Sequence, residues 1–191
     1  MPTRILAFDG SLRADSWNRR ILLLAAEGAR AAGAEVTVTS LRDHPMPLFD
    51  EDLEKRDGAP AGARSLKALF LTHQGLLIAS PEYNSSITAA LKNALDWMSR
   101  GGAGEAPLAA FSGKTAALLA ASPGALGGLR GLVHLRAILG NIGVLVLPDQ
   151  VAVMRVHEAL APDGTLKDPK VAGQVAALGA ALAKTAAKLG R

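Results

Sequence analysis

Residues 3–41 read TRILAFDGSLRADSWNRRILLLAAEGARAAGAEVTVTSL, and three segments within them decide the fold class. Residues 3–8 form a short apolar run, with Ile5, Leu6 and Phe8, that stops abruptly at Asp9-Gly10. Residues 16–32 carry apolar side chains at Ile21, Leu22, Leu24 and Ala25, the spacing of one helix face. Residues 34–41 alternate Val36 and Val38 with Thr37 and Thr39, as a strand does. A strand, a helix and a strand in so short a span make a βαβ unit.

The same alternation runs outward to the end of the chain. Residues 63–73 are expected to be helical, and residues 75–80 form a strand core stopped by Pro81. A helix is expected over residues 86–100, with Leu91, Leu95 and Met98 on one face, serving either as core or as a dimer surface. Residues 114–121 look like a strand, and residues 126–141 like a helix with Leu132, Leu135 and Leu139 in register. A buried strand follows at residues 144–148, extending toward 151–153, and an Ala-rich helix at 169–189 closes the chain. Repeated β-then-α units imply a parallel sheet covered by helices on both faces, an α/β three-layer sandwich. Right-handed crossovers leave few topologies, of which the five-stranded order 2-1-3-4-5 is the common one at this size. Polar or Gly/Pro-rich insertions at residues 42–60 and 101–113 are expected as surface loops. No repeat or linker divides the chain, so residues 1–191 are expected to form one domain.

Composition mainly excludes. With 49% of 191 residues hydrophobic, there is enough apolar surface to offset the ordering entropy of folding, which excludes disorder. Every apolar run is broken by charge, Gly or Pro before the roughly 18 residues that a membrane helix needs. No cysteine is present, which excludes disulfides, thiolate catalysis and thiolate metal sites, and agrees with a reducing cytoplasm. The first residues carry no signal-peptide pattern, because the apolar stretch is short and Asp9 interrupts it. The net charge of +4 comes from scattered Lys and Arg, with no basic run longer than a pair such as Arg19-Arg20, so no stripe for nucleic acid is expected. His44, His73, His134 and His157 lie far apart and form no ligand-spaced pair, so no metal site is expected.

In an open α/β sheet, ligands bind beyond the carboxyl ends of the strands where the strand order reverses. Three loops should meet there. The first, Asp9-Gly10-Ser11-Leu12-Arg13-Ala14-Asp15-Ser16-Trp17-Asn18, offers hydroxyls at Ser11 and Ser16, the Asn18 amide and the Arg13 guanidinium. Together with the free N–H groups of the following helix these suit a phosphate, although neither GxxxxGK[ST] nor GxGxxG is present. A plainer reading makes Ser16 a helix cap and Arg13 a solvated side chain. The second loop, Ser80-Pro81-Glu82-Tyr83-Asn84-Ser85-Ser86, could present backbone groups to the edge of a planar heterocycle, or be a Pro turn with Ser86 as cap. The third, Ser122-Pro123-Gly124-Ala125-Leu126-Gly127-Gly128, holds glycines that permit positive φ or close approach to a flat ring, or simply a flexible turn.

At these residues the sequence resembles the NADPH-dependent FMN reductase family, a flavodoxin-like group that includes quinone, azo and chromate reductases. PEYNSSITAALKNALDWMSR at residues 81–100 resembles the family's PEYN segment and its LKNAIDW helix. GSLRADSWN at residues 10–18 resembles its GSLR-x-x-S-x-N phosphate loop, and SPGALGGLRGLVHLR at residues 122–136 its third flavin-side segment. Departures are Asp9, where small residues are common, Thr88-Ala89 in place of Pro-Gly, and Val133, where some metal-reducing members carry tyrosine.

The resemblance implies a flavodoxin-like fold with FMN as cofactor and NADPH, or NADH, as co-substrate. It assigns Ser11, Arg13, Ser16 and Asn18 to the FMN phosphate, and Pro81, Glu82, Tyr83 and Asn84 to the isoalloxazine ring. Ser122 and Gly124 would approach that ring from the other side. It further implies ping-pong reduction of a small-molecule electron acceptor, with no catalytic side chain required, and a homodimer or homotetramer. Arg100 and Arg130 would attract the 2′-phosphate of NADPH, or stay solvated. Two rival readings remain at this point: an FMN-binding electron carrier without an NADPH site, and a binding module that kept the fold without the cofactor.

Overall fold

The computed structural model describes residues 2–102 and 104–189. Of the expected domain and its 101–113 loop, Met1, Ala103, Gly190 and Arg191 lie outside the described residues. The βαβ unit forms as expected: β1 spans Arg4–Asp9, α1 Trp17–Ala31 and β2 Glu35–Ser40. Next come α2 (Glu51–Asp57), α3 (Ala61–Thr72), β3 (Gly75–Ala79), β4 (Glu82–Tyr83), β5 (Ser86–Ile87) and α4 (Ala89–Ser99). The chain continues through β6 (Thr115–Ala121), α5 (Leu129–Asn141), β7 (Leu145–Val153), α6 (Val156–Ala159) and α7 (Pro169–Leu189).

The main sheet has the order β2-β1-β3-β6-β7, all neighbours parallel, which is 2-1-3-4-5 when only its own strands are numbered. Alternate side chains of each central strand feed opposite cores, because successive strand residues point to opposite faces. Ile5, Ala7, Leu77, Ala79, Ala117 and Leu119 pack under α1 and α7. Leu6, Phe8, Leu76, Ile78, Leu118 and Ala120 pack under α3, α4 and α5. β3 and β6 are buried along their whole length, as a strand covered on both faces must be. The Ala/Gly-rich helices sit close together: a Cβ at Gly28 would fall on the Ala176 carbonyl, and one at Gly179 on the Ala25 carbonyl. Leu91, Leu95 and Met98 are buried in the second core.

Three expectations need correction. The 42–60 loop contains α2, a helix with no buried residue that is held by the Asp50 cap, acidic residues in its first turn and Lys55 and Arg56 in its last. The helix expected from Ser86 begins instead at Ala89, capped by Thr88, whose hydroxyl oxygen accepts from the Leu91 N–H. Residues 82–87 before it form a small antiparallel hairpin, β4 against β5. Its two-residue turn has Asn84 at φ 50° and Ser85 at φ 68°, the left-handed pair that matches strand twist. Finally, β7 runs through to Val153 as expected but is not buried: it is an edge strand with Leu145, Pro148 and Asp149 exposed. Its register to β6 shifts between Ala116 and Leu118, so Pro148 sits where the pairing is interrupted.

Candidate functional site

β1, β3 and β6 end at Asp9, Ala79 and Ala121, and the loops that follow them converge on one crevice of about 280 Å3. Ser11, Arg13, Ser16, Asn18, Pro81, Glu82, Tyr83 and Ser122 line it, together with Trp17, Ala121 and Pro123. Asn84 and Gly124 belong to the same loops but fall outside that lining. Larger concavities of about 580, 630 and 670 Å3 lie elsewhere, so size alone does not select this crevice. Its chemistry does: it stands where the chain turns from β2 on one side of β1 to β3 on the other.

The loop between β1 and α1 is built from short local bonds. Ser16 caps α1 by accepting from the Arg19 N–H at 3.2 Å, and Ser11 accepts from the Arg13 N–H at 3.1 Å. Both hydroxyls thus serve as acceptors and keep a proton to donate. Helix geometry leaves the Trp17 and Asn18 amides without intrahelical partners. Arg13 is exposed, with its guanidinium 5.5 Å from the Trp17 ring centre, and it pairs with no carboxylate among the described residues. Two hydroxyls, free amides at a helix start and an unpaired guanidinium make a donor set whose chemistry suits a phosphate ester.

Asn18 plays another part. Its amide donates to the Ala121 carbonyl and its carbonyl accepts from the Ala121 N–H, each at 2.9 Å, so the side chain pins α1 to the end of β6. Beneath the loop, Asp9 is fully buried, and neither carboxylate oxygen has a hydrogen-bond partner. Burial pushes its carboxyl above the usual carboxylate range. The nearby Ser16 hydroxyl, the Arg19 guanidinium and the Asp9 and Ser11 amides only partly offset that.

In the hairpin, Glu82 takes the Arg130 guanidinium on one carboxylate oxygen, at 2.6 and 3.0 Å, and the Gly131 N–H on the other at 3.1 Å. Burial opposes ionisation here, but these donors outweigh it and hold the carboxyl below its ordinary value. Glu82 therefore fastens the hairpin to α5, and the Arg130 guanidinium is engaged rather than free. Arg100 lies away from the crevice, paired to Glu54 at 2.8 Å and set over the Phe49 ring. Tyr83, 56% exposed, is the side chain the hairpin offers to solvent at the crevice. Thr88 ties hairpin to phosphate-type loop by donating to the Gly10 carbonyl at 2.6 Å.

In the third loop, Ser122 accepts from the Gly124 N–H at 3.2 Å. The positive φ angles expected of its glycines occur at Gly127 and Gly128, 61° and 93°, where a Cβ would strike the Val153 backbone or the Ala120 Cβ at 2.8 Å. Gly124 has only Ser122 Oγ within 4 Å of its Cβ position, leaving open space. Among the described residues no group of three or more His, Cys, Asp and Glu is placed to hold a metal ion.

Comparison with known proteins bears on this crevice. The family model for NADPH-dependent FMN reductase matches residues 3–158. The chain is 34% identical to a quinone reductase of Escherichia coli, covering 75% of this chain and 73% of that one. It is also 34% identical to an NAD(P)H-dependent FMN reductase of Pseudomonas aeruginosa, over 87% and 86% of the two chains. Among solved structures, a flavoenzyme NAD(P)H:(acceptor) oxidoreductase from Paracoccus denitrificans superposes with a TM-score of 0.79 at 26% identity, covering 97% and 98%.

Proposed function

Because the chain belongs to the NADPH-dependent FMN reductase family, and so is an NAD(P)H-dependent flavin oxidoreductase, we propose that it reduces quinones or similar small acceptors at the crevice. Azo compounds, chromate and free flavins fall in the same acceptor class. FMN held in the crevice would supply the redox chemistry that links the nicotinamide to the acceptor.

The protein's own work is binding and orientation. Ser11, Ser16, the first amides of α1 and Arg13 hold the phosphate end. Asn18 contributes by fixing α1 on β6, so that those donors keep their aim. Pro81 and Tyr83, with Asn84 in the hairpin turn beside them, would border the ring from the hairpin, which Glu82 anchors through Arg130. Ser122 and Gly124 border it from the other side, where the absence of a Cβ at Gly124 keeps space open. No side chain needs to act as nucleophile or general base. NADPH and acceptor use one open face in turn, which gives ping-pong kinetics.

The observation that carries this reading is the donor set of the first loop, unpaired toward solvent within a chain matched by the family model along residues 3–158. The family match and the quinone and FMN reductase relatives, rather than the donor set, favour an enzyme over an electron carrier of the same fold. We also propose that all of 1–191 acts as one FMN-binding unit, working in the cytoplasm as a homodimer or homotetramer. No helix among the described residues is long and apolar enough to cross a membrane.

The test is anaerobic. The FMN-loaded protein should bleach on adding NADPH or NADH and regain its colour on adding a quinone. Initial rates at varied quinone should give parallel double-reciprocal lines. A yellow protein that neither nicotinamide bleaches would instead be a carrier.

A further inference from the structure

Asp9 ends β1 directly under the loop that carries the phosphate donors, and its surroundings do not accommodate a charge. It is 0% exposed, and both carboxylate oxygens lack a hydrogen bond. The nearest cation, Arg19, stands 3.7 Å away and spends that same nitrogen on the Thr39 carbonyl at 3.2 Å. From the loop, the Ser16 hydroxyl and the Ser11 amide flank it. From β2, its register partner is Ser40, with His44 behind the Thr39 hydroxyl at 2.9 Å; from β3, the partner is Ala79. Farther out on the loop lie Arg13, the Asp15–Arg20 pair and Arg42, which donates to the Leu12 carbonyl.

The Ser16 hydroxyl and the Ser11 amide face the buried Asp9. The Ser16 hydroxyl, which would also serve a phosphate ester above the loop, has one proton for the two. A dianionic phosphate above the loop would add to the cost of ionising the buried Asp9, whose one nearby cation, Arg19, is shared with the Thr39 carbonyl. The neutral acid removes the repulsion and adds an O–H donor where only acceptors stood.

We propose that Asp9 is the proton-linked positioning residue of the phosphate site: binding of FMN draws one proton from solvent onto the Asp9 carboxylate, whose new O–H then supports the Ser11–Ser16 cradle. The inference rests on the placement of the FMN phosphate in this loop. Its balance is simple, since the carboxylate and a solvent proton become the carboxylic acid and no other bond changes. Burial already holds the free-state Asp9 carboxyl above its ordinary value, without which the uptake would have no head start. The bound phosphate raises that value further, and by linkage FMN affinity falls as pH rises between the free and bound titrations.

The experiment measures FMN and riboflavin affinity for the apoprotein by flavin fluorescence across pH 5–9, in the parent and in Asp9→Asn. Dividing parent by variant cancels the phosphate's own ionisation. The ratio should fall with pH, approaching about tenfold per unit at its steepest, for FMN and not for riboflavin. Calorimetry in buffers of different ionisation enthalpy should show proton uptake on FMN binding to the parent and its loss in the variant. Asp9→Ser, which restores a small residue, should behave like Asp9→Asn and guards against a folding defect in either. A ratio flat with pH, with FMN still preferred over riboflavin, would overturn the proton link alone. Equal affinity of the parent for FMN and riboflavin at every pH would remove the phosphate placement and the inference with it.

Discussion

The two ends of the sheet each bury an ionisable side chain and treat it in opposite ways. At the end where the strands begin, Lys114 is buried and donates to the His73 carbonyl at 2.5 Å. His73 in turn uses one ring nitrogen on the Leu69 carbonyl at 2.6 Å and the other on Thr37 at 2.8 Å. Gln74 accepts from the Arg4 N–H at 2.9 Å, and Thr115 Oγ1 is the one buried side-chain atom of that layer without a partner. At the end where the strands finish, Asp9 has no hydrogen bond, Ser11 and Ser16 retain protons to donate, and Arg13 has no carboxylate. A buried polar group left unpaired costs about 1–3 kcal/mol, so a fold concentrates such groups where something else completes them. One end is closed on itself and structural. The other keeps unpaired groups that, on the proposed function, a ligand completes.

The sharpest challenge to that contrast comes from Asn18, a structural residue at the ligand end. Asn18→Ala would leave the buried Ala121 N–H and C=O unpaired, and the expected loss is about 3 kcal/mol, read as a lower midpoint in urea. Full stability with weakened FMN binding would instead make Asn18 a ligand group. Arg13→Ala should do the reverse: a fall in FMN affinity of roughly 10–100-fold, from one lost charged hydrogen bond, with an unchanged melting temperature. Equal affinity in variant and parent would remove Arg13 from the site.

Two pH dependences probe the closed end. Burial lowers the Lys114 pKa, so between its folded value and the ordinary 10.5 the unfolded chain binds more protons at this group than the folded one. Its contribution therefore makes stability rise as pH climbs toward the lysine range. Lys114→Met should flatten that rise, seen in melts between pH 7 and 10, and leave FMN affinity untouched. Burial likewise lowers His44 and His73 from 6.5, with the Leu69 carbonyl opposing it at His73 and Asp43 at His44. Their stabilisation is complete above about pH 6.5 and is lost as pH falls through the lower folded values. Melts from pH 7.5 to 5 should show this small decline, and it should shrink in a His44→Gln, His73→Gln double variant.

Much of the fold was legible because it rests on patterns that a short window contains. The apolar runs around Leu76 and Leu118, separated by helical stripes, imply buried parallel strands and in turn the observed strand order. What escaped lacked such a pattern. The helix Glu51–Asp57 buries no residue, so no apolar stripe announces it. The hairpin turn uses Asn84-Ser85 without glycine, and strands of two residues are too short for alternation to show.

The site divides the same way. Ser11, Arg13 and Ser16 follow directly from a loop at a strand end, and the structure gathers them at the crevice. The engagements of Glu82 with Arg130, 48 residues away, and of Asn18 with Ala121, 103 away, exist only after folding. Both residues look like ligand groups in the sequence because each carries polar atoms in the right loop. The fold commits those atoms to holding the loops in place.

The most direct test of the contrast between the two ends is a backbone amide NMR titration of the full chain with FMN. Shifts should cluster at residues 10–18, 82–86 and 122–128, while residues 73–75 and 114–116 at the opposite end stay in place. Saturable shifts centred on residues 73–75 and 114–116, or on the groove beside Lys67 and Arg100, with the first loop unmoved, would contradict it.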